Sequence, residues 1–225
     1  MEPTCNTTVD IGFVLDSSGS LRADYSKEKS FLKVLAASFG ISDKLSRAGV
    51  VTFSLNAEHS IKLSDHKNFS TFGKAVDKIP LMGSTTRIDR ALRLSQNELF
   101  SLSNGARPGV PKLMVILTDG SQTNDIDAED PSLVADEIRR AGIRVLVIGI
   151  GDGVNPEELL RLAGDKDNVF SAKSFDDLIS YGFIDTVTKR SCDQGIYDTI
   201  KFMHELTVKS GYISILSMFV SFLFS

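Results

Sequence analysis

The amino-acid sequence predicts an α/β fold: a doubly wound, mostly parallel sheet with helices on both faces and one short antiparallel edge strand. Two observations predict it. Short continuous apolar runs, which are typical of fully buried strands, alternate with segments whose apolar residues recur every three or four positions. Such alternation favours parallel strands joined by helical crossovers, and one run that follows its predecessor after only a turn indicates an edge strand.

Six segments have the composition of strands. The first, Val9–Leu15, is a short apolar run that ends on Asp16, and the most continuous run is Lys112–Leu117. The edge strand is expected at His59–Leu63, after a turn. The remaining strands are predicted at residues 48–53, 144–150 and 169–171.

Helices are predicted between these strands. From Tyr25 to about Phe39, the apolar side chains fall on one helical face. Residues 131–141 begin with a proline and are followed by Gly142, the positions at which helices favour these two residues. Further helices are expected over residues 69–79, 88–99, 156–163 and 175–187.

The bulk composition favours one soluble domain with a tail. The chain has 225 residues, of which 42% are hydrophobic and 24% are charged, as is ordinary for a globular protein. The net charge is −4 and no basic block occurs, so nucleic acid and anionic membrane surfaces are poor candidates as partners. We predict a domain over residues 8–190, an N-terminal flank over 1–7 and a C-terminal tail over 193–225.

The tail differs in character from the domain. Ile196, Ile200, Met203 and Leu206 suggest an amphipathic helix, and Tyr212–Phe224 is almost wholly apolar. That apolar run is shorter than the ~20 residues that span a bilayer. A truncated membrane segment and a terminus foreign to the natural domain both fit, so membrane association of the tail stays open.

Two cysteines, Cys5 and Cys192, bracket nearly the whole periodic part of the chain. They are either two unrelated thiols or a disulfide that clasps the domain ends, and the clasp is favoured because the termini of such domains often lie close together. A disulfide needs an oxidising compartment, with which glycosylation sequons at Asn6 and Asn68 agree. Because residues 1–10 lack a signal-peptide pattern, we expect an intracellular protein or, preferably, a piece of a longer secreted one.

Three segments place oxygen ligands where a parallel sheet would bring them together. Residues 16–20 (DSSGS) follow the first strand, residues 118–120 (TDG) follow the strongest strand, and residues 83–86 (GSTT) precede the helix at residue 88. In doubly wound sheets, sites form outside the carboxyl ends of the strands, where the strand order reverses. Each motif alone is an everyday turn, but the three together, in this order, point to a site.

Hydroxyl and carboxylate oxygens are the ligands that Mg²⁺ prefers, about six of them in octahedral geometry, some supplied by water. Neutral hydroxyls leave the ion's charge largely unquenched, so that it attracts an incoming carboxylate. The three segments contain no histidine or cysteine, which argues against zinc or copper. The sequence therefore predicts a site for Mg²⁺, with Mn²⁺ or Ca²⁺ as alternatives, that docks an acidic group.

These segments resemble the metal-ion-dependent adhesion site of the von Willebrand factor A-domain family, which includes integrin inserted domains, matrilins and non-collagenous domains of some collagens. The family pattern is Asp-x-Ser-x-Ser, then a Thr, then the Asp of a strand-ending Thr-Asp-Gly. The resemblance extends over about residues 8–189 and prefers Thr86 to Thr85 because of its spacing to the helix that follows. It implies metal-site residues at Asp16, Ser18, Ser20, Thr86 and Asp119.

The resemblance also implies how these residues act. Ser18, Ser20 and Thr86 are expected as direct ligands, with the two aspartates often acting through water. The implied function is that of a secreted or cell-surface adhesion or matrix domain, whose metal binds an Asp or Glu of an extracellular protein, collagen or another matrix protein among the candidates. The alternative is an intracellular A-domain scaffold subunit of a multiprotein complex.

Catalysis is disfavoured by the sequence. The three histidines, His59, His66 and His204, lie outside every motif segment, so no Ser–His pair is suggested. Neither a GxxxxGK phosphate loop nor a GxSxG elbow occurs. Arg87 is interpreted as an exposed residue at a helix start rather than a group that orients an acidic ligand, and the acidic residues between 125 and 130 as a solvated loop.

Overall fold

The computed structural model describes residue 5 and residues 8–192, which contain a six-stranded sheet of order β3-β2-β1-β4-β5-β6. Neighbouring strands are parallel, except that β2 and β3 are antiparallel. This arrangement confirms the predicted fold class, including the short edge strand. The strands are β1 (Asp10–Asp16), β2 (Arg47–Phe53), β3 (Ala57–Ile61), β4 (Lys112–Thr118), β5 (Ile143–Ile150) and β6 (Val169–Ala172).

Helices cover both faces of the sheet. They are α1 (Tyr25–Ser38), α2 (Phe69–Asp77), α3 (Ile88–Leu94), α4 (Pro131–Arg140), α5 (Pro156–Ala163), α6 (Phe175–Leu178) and α7 (181–192). Helices α1, α2, α6 and α7 pack on one face, and α3, α4 and α5 pack on the other. Among the described residues, no helix is both long enough and apolar enough to cross a bilayer.

The centre of the sheet is closely packed because β1 is buried along its whole length. Phe13 and Leu15 point into the core on one face, and Val14 points into the core on the other. Helix α3 continues into a π-helical turn whose Leu99 presses on Gly12, where an added Cβ would lie only 2.5 Å from the leucine side chain. Glycine is therefore required at the middle of β1 for this close approach.

The end of the domain differs from the prediction of one helix over residues 175–187, which is wrong. Helix α6 ends at Leu178, and α7 begins only at residue 181. The break has a local cause, since the Ser180 hydroxyl accepts a hydrogen bond from the backbone N–H of Phe183 (3.3 Å) and so caps a new helix.

The two cysteines form a disulfide in which the Cα atoms of Cys5 and Cys192 are 5.6 Å apart. It joins the start of the described chain to the end of α7. Asn6, His204 and the predicted amphipathic and apolar segments of the tail lie outside the described residues.

Candidate metal centre

The carboxyl ends of β1 and β4 lie side by side at the centre of one sheet edge, with Leu15 paired to Leu117. The strand order reverses here, because β2 follows on one side of β1 while β4 occupies the other. This is the position at which doubly wound sheets form their ligand sites. Asp16 ends β1 and Asp119 directly follows β4, so the sheet brings these two carboxylates to a common place.

A chain of hydrogen bonds connects four of the five predicted site residues. The Ser20 hydroxyl donates to Asp119 Oδ1 (2.9 Å), and the Ser18 and Ser20 hydroxyl oxygens are 3.1 Å apart. The backbone N–H of Ser18 donates to Asp16 Oδ1 (2.9 Å). The second oxygen of Asp16 accepts from the Thr118 hydroxyl (2.7 Å), which fixes the orientation of this carboxylate.

The loop that carries the predicted threonine is held against the loop after β1. The backbone N–H of Gly83 donates to the Ser17 carbonyl (2.8 Å), and the N–H of Gly19 donates to the Ser84 carbonyl (2.9 Å). The N–H of Ser84 also donates to the buried hydroxyl of Ser54 (3.0 Å), just beyond β2. The structure therefore brings all three predicted segments to one edge of the sheet.

Thr86 is positioned mainly through its backbone. Its N–H donates to the Thr123 hydroxyl (3.2 Å), and its carbonyl accepts from the Thr123 N–H (2.8 Å). The Thr86 side chain is half-buried, while Thr85 is exposed. Within the described part of the chain, the Thr86 hydroxyl takes part in no hydrogen bond, so its oxygen is available to a ligand.

Burial makes this edge electrostatically unfavourable for anions. Asp16 is fully buried, and burial raises its pKa from 3.8 to about 6, although hydrogen bonds from Thr118 and Ser18 offset part of the effect. Burial also raises the pKa of the half-buried Asp119. Glu28, on α1, is fully buried, and its pKa lies well above the ordinary value because of burial and the negative charges of the two aspartates.

No positive side chain of the described residues pairs with these three acids. Within residues 8–192, no lysine, arginine or histidine nitrogen lies within 4.0 Å of the carboxyl oxygens of Asp16, Glu28 or Asp119. Uncompensated acids beside clustered hydroxyl oxygens match the preference of hard divalent cations such as Mg²⁺. Among the described residues, no group of three or more His, Cys, Asp or Glu is placed to hold a metal, so a cation here depends on the hydroxyls.

The interpretation of Arg87 as an exposed residue at a helix start is wrong. It is only 1% exposed, and its guanidinium donates to both carboxylate oxygens of Asp89 (2.9 and 2.7 Å) and to Asp127 Oδ1 (2.9 Å). Burial opposes ionisation of Asp89, but the bonds from Arg87 and Gln122 outweigh it and lower the Asp89 pKa to about 2. Arg87 is buried because the loop that carries Asp125 and Asp127, distant in sequence, packs against it in the folded chain.

The acidic stretch between residues 125 and 130 is exposed, as expected of a solvated loop, but its acids also pair with arginines. Asp127 also accepts a hydrogen bond from Arg90 (2.6 Å), and Glu129 pairs with Arg93. Hydrogen bonds from these arginines lower the pKa values of both acids. Asp127 and Glu129 thus help to fix the loop after β4.

The predicted glycosylation site within the described residues is Asn68. Its side chain is exposed, and its Oδ1 accepts the backbone N–H of Thr71 (3.0 Å), which caps α2. Attachment of a glycan there stays a prediction.

Comparison with known protein sequences identifies related chains. The sequence model of the von Willebrand factor type A domain matches residues 10–181. Von Willebrand factor A domain-containing protein 2 of Xenopus laevis is 33% identical over 186 residues, which cover 82% of this chain and 22% of that protein. Matrilin-1 of Gallus gallus is 32% identical over 161 residues, which cover 71% of this chain and 31% of that protein. The chain therefore spans only 22% and 31% of the length of these two relatives.

Solved structures show the same fold. Proximal thread matrix protein 1 from the mussel byssus superposes with a TM-score of 0.78 at 27% identity, over 84% of this chain and 49% of that one. Another structure of the mussel protein, with a TM-score of 0.74 at 27% identity over 85% and 47% of the two chains, is described as having a zinc-occupied MIDAS motif, the metal-ion-dependent adhesion site.

Proposed function

The chain belongs to the von Willebrand factor type A domain family, and on that basis we propose that it binds a divalent cation and uses it to hold a carboxylate of an extracellular protein partner. The proposed site comprises Asp16, Ser18, Ser20, Thr86 and Asp119, and Mg²⁺ is the proposed ion. The observation that carries the proposal is the hydrogen-bonded chain from Ser18 through Ser20 to Asp119, at a sheet edge whose acids have no positive partner among residues 8–192.

The residues divide into oxygen donors and groups that orient them. Ser18, Ser20 and Thr86 offer neutral hydroxyl oxygens, and Ser20 is exposed, so the site is reachable from solvent. Asp16 and Asp119 supply negative charge and orient the serines through the hydrogen bonds described above. A bound divalent cation would supply a positive centre that attracts an incoming carboxylate. Because three of the donors are neutral, they leave that attraction largely in place.

We place the partner outside the cell, in the extracellular matrix or at a cell surface. The relatives named above include a matrilin and a mussel thread matrix protein, which supports a matrix role. The Cys5–Cys192 disulfide supports secretion, because disulfides persist in oxidising compartments. The alternative of an intracellular scaffold subunit predicts two reactive thiols in the native protein, which a free-thiol assay would detect.

We propose binding rather than catalysis. Neither His59 nor His66 lies near the loops that carry the site: His59 is in β3, and His66 precedes α2. Among the residues that the structure describes, no imidazole is therefore placed to activate a serine of the site as a nucleophile.

The test is binding of the full chain to purified collagens coated on a surface, in Mg²⁺ and in EDTA. We expect binding that EDTA abolishes and that Ser20→Ala removes, because this substitution deletes one metal ligand and frees Asp119 from its hydrogen bond. Ser26→Ala is the matched control, since Ser26 is an exposed serine on α1 outside the site. Binding that survives EDTA, or that Ser20→Ala leaves unchanged, would contradict the proposal.

A further inference from the structure

The sheet edge that carries the candidate metal centre also presents two exposed apolar side chains. Ile126 is fully exposed, and Leu55 is 41% exposed. Leu55 follows β2 and Ile126 lies in the loop after β4, so both stand at the carboxyl ends of strands that flank β1. Single exposed apolar residues are common on protein surfaces, so their meaning depends on how they are held.

Ile126 is held at the tip of a turn that is fixed on both sides. The buried guanidinium of Arg87 donates to Asp125 Oδ2 (3.4 Å) and to Asp127 Oδ1 (2.9 Å). The N–H of Ala128 donates to the Asp125 carbonyl (3.0 Å) and closes the turn. A loop ordered in this way has little conformational entropy left to lose when a partner binds. Being fully exposed, the Ile126 side chain contributes no burial to the fold.

Arg90 links Leu55 to the turn that carries Ile126. One guanidinium nitrogen of Arg90 donates to the Leu55 carbonyl (2.8 Å), and the other donates to Asp127 Oδ2 (2.6 Å). Arg90 therefore forms a bridge between the backbone at Leu55 and the turn that carries Ile126. Arg87 and Arg90 both pair with Asp127 and offset its negative charge. An acidic partner is therefore repelled less by this loop than its acidic residues alone would predict.

The bridge adjoins the metal centre directly. Arg87 follows Thr86 in the chain, and the Thr86 backbone is hydrogen-bonded to Thr123 at the start of the same loop. We propose that Leu55 and Ile126 form an apolar contact surface beside the metal centre, which selects protein partners that carry a large apolar residue close in sequence to the acidic residue bound by the metal. This inference rests on the proposed function.

The test is selection of short random peptides on the immobilised full chain in Mg²⁺, with elution by EDTA. Peptides selected by the wild type are expected to contain an Asp or Glu with a large apolar residue nearby. The Leu55→Ser, Ile126→Ser double variant should select peptides that keep the acid and lose the apolar enrichment. A synthetic wild-type-selected peptide should bind this variant about tenfold more weakly, the loss expected for removing apolar contacts of this size.

Leu102→Ser is the matched control. Leu102 is 72% exposed and lies in the same short helical turn as Asn104. The Asn104 carbonyl accepts a hydrogen bond from the N–H of Ser64, in the loop after β3, at the opposite edge of the sheet from the metal centre. Its peptides should match those of the wild type. Acidic peptides without apolar enrichment, or equal enrichment in the double variant, would overturn this inference alone. The absence of EDTA-eluted peptides, or peptides without an acid, would overturn the proposed function and this inference with it.

Discussion

The Ser20 hydroxyl donates a hydrogen bond of 2.9 Å to Asp119 Oδ1, which joins the loop after β1 to the loop after β4. Because Ser20 uses its proton in this bond, the contact between the two serine hydroxyls requires Ser18 to be the donor. The remaining lone pair of Ser20 stays free for a cation. In the proposed metal site, Asp119 would therefore orient Ser20 through this hydrogen bond.

The metal-free protein should lose stability as the pH rises from about 4 to about 6. The pKa of Asp16 is raised from 3.8 to about 6 in the folded state, so in this window the folded state holds more protons than the unfolded state. Asp16 alone should lower the free energy of unfolding by up to about 3 kcal/mol across this window, since each pKa unit corresponds to about 1.4 kcal/mol.

Urea unfolding in EDTA at several pH values measures this effect, with Asp16→Asn as the comparison. The variant should show a smaller fall, keeping what Glu28 and Asp119 contribute in the same direction. A stability that rises across this window, or the same fall in Asp16→Asn, would contradict the assignment.

Replacing Glu28 by methionine should stabilise the metal-free protein at neutral pH. Both Glu28 carboxyl oxygens are buried without a hydrogen-bond partner among the described residues, and such a group costs roughly 1–3 kcal/mol. Glu28→Gln, which keeps a buried polar group, should gain less. Urea unfolding of the three proteins decides the matter, and a lower stability of Glu28→Met would mean that the carboxyl has a stabilising partner.

Arg87→Met should destabilise the fold by about 3–5 kcal/mol, because it leaves the buried carboxylate of Asp89 without its charge partner. Arg90→Met is the control, since Arg90 is one-third exposed and its loss should cost less than about 1 kcal/mol. Chemical unfolding measures both. Equal effects of the two substitutions would show that the burial of Arg87 has no energetic consequence.

Removal of the disulfide should lower the free energy of unfolding by about 5 kcal/mol in the chain-entropy estimate, because the bond closes nearly the whole domain into one loop. The Cys5→Ser, Cys192→Ser double variant, compared with the oxidised wild type in urea, provides the measurement. Equal stability of the two proteins would contradict a structural role for this bond.

Much of the fold could be predicted from the sequence because buried strands and helical stripes leave local signals. The apolar runs that end at Asp16 and Thr118 placed two of the three site segments at strand ends, where a parallel sheet must bring them together. The break in the final helix was missed, since the apolar period continues across Ser180 and only the cap at that serine separates α6 from α7.

The electrostatic setting of the site was only partly accessible. Glu28 lies three, four and seven positions before Phe31, Leu32 and Leu35, so helical periodicity alone places it on the buried face of α1. Arg87 carried no such signal, because its burial depends on Asp125 and Asp127, which approach it only in the folded chain.

Isothermal titration of the full chain with Mg²⁺, beside Asp119→Ala, tests the central claim most directly. Asp43→Ala serves as the control, because Asp43 is an exposed acid in the loop before β2, at the opposite edge of the sheet. We predict that the wild type and the control bind one ion per chain and that Asp119→Ala does not. Absence of Mg²⁺ binding by the wild type, or undiminished binding by Asp119→Ala, would contradict the account.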